Sequence, residues 1–586
     1  MIDYSGLNPE QREAVFSDRQ RILCLAGAGT GKTQVLTRRI ARLWEQGINP
    51  ENMLALTFTR AAGAEMKERV IGLIGPDGKK LFCNTFHAFC VEVIRENAVQ
   101  LGYYPNFSIY DQWECAEILK AVLHDLRIKI PASRVTDFIS GKTENMNAVD
   151  LKQAERAANE FRYRLRRSNA IDFDGLISTV KKAIAEDPVI NAKLGARYRH
   201  VFVDEFQDTD SEQWEIVKNL RPENLFVVGD DFQAIYGFRG SDISIILSLA
   251  DDPEFHTVKL ERNYRSTEPI IEAANTLIKH NTQTEKKLIS EKHGEPVGFW
   301  EPEDDKTEIT DLIARLKRNQ EPAIARTTAI LARTNKQLEN AKIILTANGV
   351  PCETKSSAEN PFSGKEAKEL LAWITAIENP EDEDAMRRIA LAYMGEIAVT
   401  KAERMQFGDG LTFYVALKEL DDSGEFFEFY GQMAEMMIAA DDTLTGAAQV
   451  CEHAKIDCPA ALNAIAAWQA KQAELGEYAT PADLLEYVRL ADVTSKPEKE
   501  RDASKTYLMT VHGSKGLEFD EVYIIGAAQG VFPNRGDLQE ERRLFYVAVT
   551  RAREYLHVSC PRNLSGWGGG GKHTEHSQFL KESGIV

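Results

Sequence analysis

Short apolar runs rich in β-branched residues alternate along the chain with stretches whose apolar positions recur at helical spacing. The runs at 22–25, 53–57, 201–203 and 225–228 end in polar or glycine-bearing turns and lead into helical periodicity. Buried strands of a parallel α/β layer read this way. A second group at 329–332, 507–511, 522–525 and 555–559 repeats the pattern. The fold class expected is therefore α/β, with two lobes of parallel sheet flanked by helices. Between strands of the first lobe, 88–175 shows helical spacing and few strand signals, and 381–498 reads the same way inside the second. Each lobe is thus expected to carry a mainly helical insertion. The division that follows assigns 1–87 and 176–265 to the first lobe around its insertion 88–175, and 266–380 and 499–565 to the second around 381–498. Residues 566–586 would form a tail behind the glycine run 568–571, a flexible hinge. Acidic, proline-bearing segments at 301–305 and 378–384 read as surface connections.

Composition narrows this picture. A chain of 586 residues, 43% hydrophobic, is too long for one core and rich enough to bury several. No apolar run approaches the roughly 18 residues of a membrane span, and the N-terminus lacks a signal sequence, so a cytoplasmic protein without a membrane partner is expected. The eight cysteines are scattered without a CxxC pair, which excludes a disulfide framework and a zinc ribbon. The nearest ligand-like group, Cys451, His453 and Cys458, reads as core packing.

The chemistry concentrates at two places. AGAGTGKT at 26–33 follows the run 22–25 and precedes an amphipathic stretch, which is the strand, loop and helix context of a P-loop. Glycines 27, 29 and 31 let the backbone of Ala26, Gly27, Ala28, Gly29, Thr30 and Gly31 turn its N–H groups toward phosphate, with a helix N-terminus adding positive charge. Lys32 would reach the β and γ phosphates of ATP, and Thr33 would hold Mg²⁺. Ala26 stands where the generic pattern has glycine, and a small residue still fits there. VFVDEFQDT at 201–209 supplies the carboxylates: Asp204 as the Mg²⁺ anchor and Glu205 as acceptor of a proton from the attacking water. Two adjacent acids alone usually mark a solvated strand end; a P-loop in the same chain reverses that reading.

Beyond these, collinear blocks run over nearly the whole chain: LNPEQREAV at 7–15, LALTFTRAAGAEMKERV at 54–70, TFHAFC at 85–90, NAIDFDGLI at 169–177, VVGDDFQAIYGFRGS at 227–241, LERNYRST at 260–267, LMTVHGSKGLEF at 508–519 and ERRLFYVAVTRARE at 541–554. In these the sequence resembles the UvrD/Rep/PcrA family of superfamily 1 DNA helicases. The resemblance implies two RecA-like lobes with ATP between them. It implies that Gln11 reads the adenine edge, that Tyr264 stacks on the ring, and that Glu518 contacts the ribose. Gln233 resembles the family's γ-phosphate sensor. Arg265 and Arg551 resemble two arginines delivered to that phosphate, the second from the opposite lobe, so that hydrolysis would require the cleft to close.

For DNA, the resemblance implies a single strand tracked across both lobes, its bases held against Phe58, His87, Tyr236, Phe238, Arg239 and His512. Stacking of this kind accepts any base, as a 3′ to 5′ motor on single strands and at duplex junctions requires. A net charge of −19 argues against a nucleic-acid partner, but weakly, since a motor that releases its track at every step needs only a local groove. The basic run 162–167 reads either as a duplex contact or as an ordinary solvated helix face.

Departures from the family temper the reading. Phe238 stands where many relatives carry tryptophan, Gln34 where several carry arginine, and Arg60 and Ala61 replace a familiar Asn-Lys pair. The second insertion looks short, and little chain remains after the last block for a nuclease domain. A motor fold that hydrolyses ATP on DNA without unwinding, a switch within a repair, replication or defence assembly of partner proteins, therefore stands as the alternative. A small-molecule phosphotransferase would leave the arginines and the aromatic residues without purpose.

Overall fold

The computed structural model describes residues 2–143, 146–321, 324–354, 360–475, 479–490, 502–564 and 572–586. The glycine run 568–571 and the expected boundary at 498–499 lie outside them. In chain order the principal strands are β1 (Arg21–Ala26), β2 (Met53–Thr57), β3 (Phe82–Thr85), β4 (Ser108–Tyr110), β5 (Ala170–Asp172), β6 (His200–Val203), β7 (Asn224–Gly229), β8 (His256–Leu260), β9 (Gly298–Trp300), β10 (Thr328–Ala332), β11 (Cys352–Thr354), β12 (Thr506–Thr510), β13 (Phe519–Ile524) and β14 (Ala552–Ser559).

Two six-stranded, wholly parallel sheets organise one compact unit, made of Met1–Thr85, Lys193–Ala358 and Asp492–Val586. The first has the order β3-β2-β6-β7-β1-β8 and the second β11-β12-β10-β13-β14-β9. These are the two RecA-like lobes. The central strands β2, β6 and β10 are buried at every position, because helices cover both faces of a parallel sheet. Each of the eight apolar runs overlaps one of these strands. The edge strands β3, β8, β9 and β11 escape that reading, since they alternate or stay half-exposed, as β8 does with only Val258 and Leu260 buried. The lobes share one core cluster, in which Phe232 and Ile235 of the first meet Met509 and the helix Leu538–Val549 of the second. The tail is not loose: helix Gln578–Glu582 buries Phe579 and Leu580 in this same core, and Arg542 pairs with Glu582.

The second compact unit is helical and takes in Phe86–Ala192 and Glu359–Ala491. Its first segment extends beyond 88–175 at both ends, its second starts before 381 and ends before 498, and both insertions contribute to it. Helix Lys365–Glu378 belongs here, with Leu370, Trp373 and Ile374 inside, although its apolar period would suit a helix flanking a sheet equally well. Polar bonds tie the two segments together. Asn379 Nδ2 donates to Ser108 Oγ and to the carbonyls of Ser168 and Asn169, and Tyr110 donates to Asp382. Arg489 grips buried Glu114 in a two-pronged ion pair and Arg95 pairs with Glu486 at 2.7 Å. Three of the four arginines in the basic run 162–167 are paired within this unit: Arg164 on Asp125 and Glu160, Arg166 on the carbonyls of Leu101 and Gly102, Arg167 on Glu383, while Arg162 is exposed. Cys451 and Cys458, with Sγ atoms 3.5 Å apart, lie in its core, whereas His453 is exposed. Among the described residues no helix is long and apolar enough to cross a membrane.

Removing one partner of a buried ion pair strands the other charge. Arg489→Met should therefore destabilise the helical unit by roughly 3 to 5 kcal/mol in urea unfolding, and Arg489→Met with Glu114→Gln should recover most of the loss.

Candidate active site and aromatic platform

Most of the loops that carry candidate residues leave the C-terminal edge of a strand, where parallel sheets place their ligands. The P-loop follows β1, Asp204 and Glu205 follow β6, Gln233 follows β7 and Tyr264 and Arg265 follow β8, while Glu518 precedes β13 and Arg551 ends the helix that leads into β14. A cavity of about 630 Å³ is lined by Ala28, Gly29, Thr30, Gly31, Lys32 and Thr33 from the loop, by Glu205, Gln233 and Arg265 from the same lobe, and by Gly516 and Arg551 from the other. The sequence reading brings Arg551 to Lys32 only on closure; here both already line one cavity.

The P-loop is shaped by its packing as much as by its glycines. Gly29 and Gly31 adopt left-handed backbone conformations, φ 65° and 86°. A Cβ on Gly29 would lie 2.7 Å from the Cβ of Arg265, and one on Gly31 would lie 2.9 Å from Gln11 Nε2. Asn263 braces the loop, donating to the carbonyl of Ala28 at 2.7 Å and accepting from the N–H of Arg265 and Ser266. Tyr264 donates its backbone N–H to the carbonyl of Gly29, accepts from Asn8 at its hydroxyl and remains half-exposed. Gln11 is buried, caps the first helix with Asn8 and donates to the carbonyl of Thr30 at 2.9 Å. Gln11 and Tyr264 thus both bond to the loop.

Electrostatics dominate the interior. Lys32 donates to Glu205 at 3.0 Å, and although burial works against its charge, Glu205, Asp230 and Asp204 outweigh that and hold the ammonium above its usual range. Burial would raise Glu205, but Lys32 and Lys515 pull it down to about 2. Its neighbour Asp204 is pushed up to about 7 by burial and by the charge of Glu205. Asp204 Oδ1 is buried without a hydrogen-bond partner. That orphaned oxygen, at the end of the strand that leads into Glu205, fits a divalent cation such as Mg²⁺, whose charge would keep the carboxylate ionised. Glu205 itself sits at φ 49°, a strained conformation for a residue with a side chain, which turns its carboxylate off the strand and toward Lys32.

Two arginines meet here. Arg551 is 1% exposed, donates to the carbonyls of Val547 and Leu517 and reaches Gln233 Oε1 at 3.2 Å. Burial and the adjacent Arg265 push its guanidinium down to about 9, still a cation at neutral pH and one that a polyanion would stabilise. Arg265 pairs with Glu518, which also receives Arg553. Glu518 is thereby held by two arginines at the rim.

The platform residues gather on the same edges. Phe58 stacks on Tyr236 with centroids 5.0 Å apart and planes at 16°, and Phe238, 62% exposed, stands edge-on to His512 at 5.6 Å. Arg239 lies over Tyr236 and Phe238, and Lys515 lies 4.7 Å from the centroid of Tyr236. Burial, with Arg333 close by, lowers His512 to about 4, so it is a neutral stacking surface at physiological pH. His87 lies in the helical unit, edge-on to Phe173. Lys515, absent from the sequence reading, donates to Asp208 and to the carbonyl of Gln233 at 2.9 Å, linking cleft to platform. Asn263, Gln207 and Lys286 were equally silent in the sequence, since nothing in their spacing separates them from surface polar residues.

Comparison with known proteins agrees with this geometry. A family model described as the UvrD/REP helicase N-terminal domain matches residues 7–254, and one for the UvrD-like helicase C-terminal domain matches 258–437 and 460–563. The chain is 33% identical to the ATP-dependent DNA helicase UvrD1 of Mycobacterium tuberculosis, over 98% of this chain and 85% of that protein. It is 31% identical to the ATP-dependent DNA helicase PcrA of Staphylococcus aureus, over 98% of this chain and 86% of the relative.

The Lys32–Glu205 pair competes with phosphate for the lysine. Glu205→Gln should bind a fluorescent ATP analogue at least as tightly as the parent while phosphate release falls by about 10² to 10⁴. Unchanged turnover would remove Glu205 from the chemistry.

Proposed function

Since the chain belongs to the UvrD/Rep family of DNA helicases, we propose that it is an ATP-dependent DNA helicase that moves 3′ to 5′ along single-stranded DNA and separates duplex ahead of it. The observation that carries this reading is the convergence of Lys32, Glu205, Gln233, Arg265 and Arg551 from two lobes on one cavity, with the aromatic platform on the adjoining strand ends.

Thr33 and Asp204 would hold Mg²⁺, which neutralises charge on the β and γ phosphates when bound. ATP enters with its phosphates on the loop N–H groups, its base between Gln11 and Tyr264 and its ribose near Glu518. Lys32 then exchanges Glu205 for phosphate, and the freed carboxylate accepts a proton from the attacking water. Arg265 exchanges Glu518 for the charge that builds on the transferred group, and Arg551 reaches the same charge while Gln233 Oε1 continues to receive it. Gln233 lies three residues before Tyr236, and Lys515 bonds to the carbonyl of Gln233 while covering the Tyr236 ring, so a change at the terminal phosphate is felt under the DNA bases. The bases stack on Phe58, Tyr236, Phe238 and His512, with Arg239 over two of these rings. Protein partners from repair, replication or defence would direct the motor to its site of action.

Steady-state ATPase should rise strongly with single-stranded DNA, and Arg551→Ala should lose about 10³ to 10⁵ in turnover while retaining ATP affinity. ATPase indifferent to DNA would end the proposal. A duplex with a 3′ tail should unwind and one with a 5′ tail should not; hydrolysis without separation of either would make the protein a remodelling ATPase. Phe238→Ala should weaken single-strand binding by about 1 to 3 kcal/mol in a fluorescence anisotropy titration, without preference for sequence.

A further inference from the structure

Behind the phosphate-facing surface, the segment 284–290 runs from helix Glu268–Ile278 toward β9 and touches the back of three site elements in turn. Ser290 Oγ donates to the carbonyl of Ser266, next to Arg265, at 2.6 Å. Leu288, clamped at both backbone groups by the Asn275 amide, fills the space a Cβ on Gly27 would need. Lys286 pairs with Asp230 at 2.7 Å and with Asp231, and none of the three side chains is exposed. Asp231 is further satisfied by the N–H and hydroxyl of Thr284.

A buried ammonium is expensive to desolvate, and the turnover described above does not use it. Its geometry shows what it does. Asp230 has two oxygens: Oδ1 receives Lys286 and the N–H of Phe232, and Oδ2 receives Gln233 Nε2 at 2.6 Å. With Oδ1 held by the lysine, Oδ2 faces the glutamine. The Gln233 amide is therefore oriented, its NH₂ on Asp230 and its Oε1 accepting from Arg551 at 3.2 Å. An amide turned over would set its NH₂ against the guanidinium, donor against donor. Gln207 completes the frame, accepting from the N–H of Asp230 at 2.8 Å and donating to Glu205.

We propose that Lys286 is a positioning residue for ATP turnover: by pairing with Asp230 it fixes the amide of Gln233 in the orientation that receives Arg551. The inference rests on the reading of Gln233 as the group that meets the terminal phosphate. The trio Lys286, Asp230 and Asp231 carries a formal charge of −1. Lys286→Met alone leaves two buried carboxylates and risks unfolding, whereas Lys286→Met with Asp231→Asn restores −1.

The test is a double-mutant cycle on DNA-stimulated ATPase, with melting temperature as the fold control. The Lys286→Met/Asp231→Asn protein should keep its KM for ATP within about two-fold and lose about ten- to a hundred-fold in kcat, the range of a lost charge-assisted hydrogen bond. Asp231→Asn alone should stay within about two-fold, because Asp230 remains paired. Adding Gln233→Ala should lower kcat no further than Gln233→Ala does in the parent. Multiplying losses, or a parental kcat in the folded double variant, would overturn the role of Lys286. A Gln233→Ala protein with parental kcat would instead overturn the reading of Gln233 and the inference with it.

Discussion

A site for a triphosphate needs several cations within a few ångströms of one another, and before the nucleotide arrives they repel. The structure meets this constraint by giving most of them a carboxylate: Lys32 rests on Glu205, Arg265 on Glu518, Lys515 on Asp208 and Lys286 on Asp230 and Asp231. Arg551 instead rests on carbonyls, an amide and the Thr550 hydroxyl, and burial lowers its guanidinium to about 9. Binding of a polyanion then becomes an exchange of partners rather than the creation of charge contacts from nothing. In the proposed turnover the same exchange would free Glu205 to accept a proton.

That arrangement also explains why the second lobe matters to chemistry that the first lobe largely contains. Arg551 ends a helix whose residues 544–549 are buried throughout, so its guanidinium is placed by packing rather than by a mobile loop. Lys515, on the turn after β12, ties the second lobe to the carbonyl of Gln233 and to the face of Tyr236. The nucleotide cleft and the aromatic platform are therefore two ends of one bonded network, and a displacement of Gln233 has a short path to the rings. Single pairs at such a seam contribute little by themselves; their common dependence on the same few carboxylates makes the lobes respond together.

The helical unit follows a different economy. Its two segments, far apart in sequence, meet through buried polar groups, above all Asn379 on three partners and Arg489 on Glu114. Such contacts tolerate little sliding, because a shifted carboxylate or amide would be left unpaired in the interior.

By itself the sequence determined the central strands, whose continuous apolar runs sit between turn signals, and it pointed to phosphate and metal chemistry at 26–33 and 201–209 through residue type and order. It also carried the arginines and aromatic residues, through blocks long enough to resemble a family. Tertiary structure alone decided the rest. Edge strands such as β8 bury one face and lose the apolar signal. Helix Lys365–Glu378 has a period that fits either unit, and the tail helix docks into a core that its sequence does not announce. Lys286, Lys515 and Asn263 are polar residues whose meaning lies in partners found 55 to 307 positions away, and no local pattern records a contact made only when distant strands lie side by side.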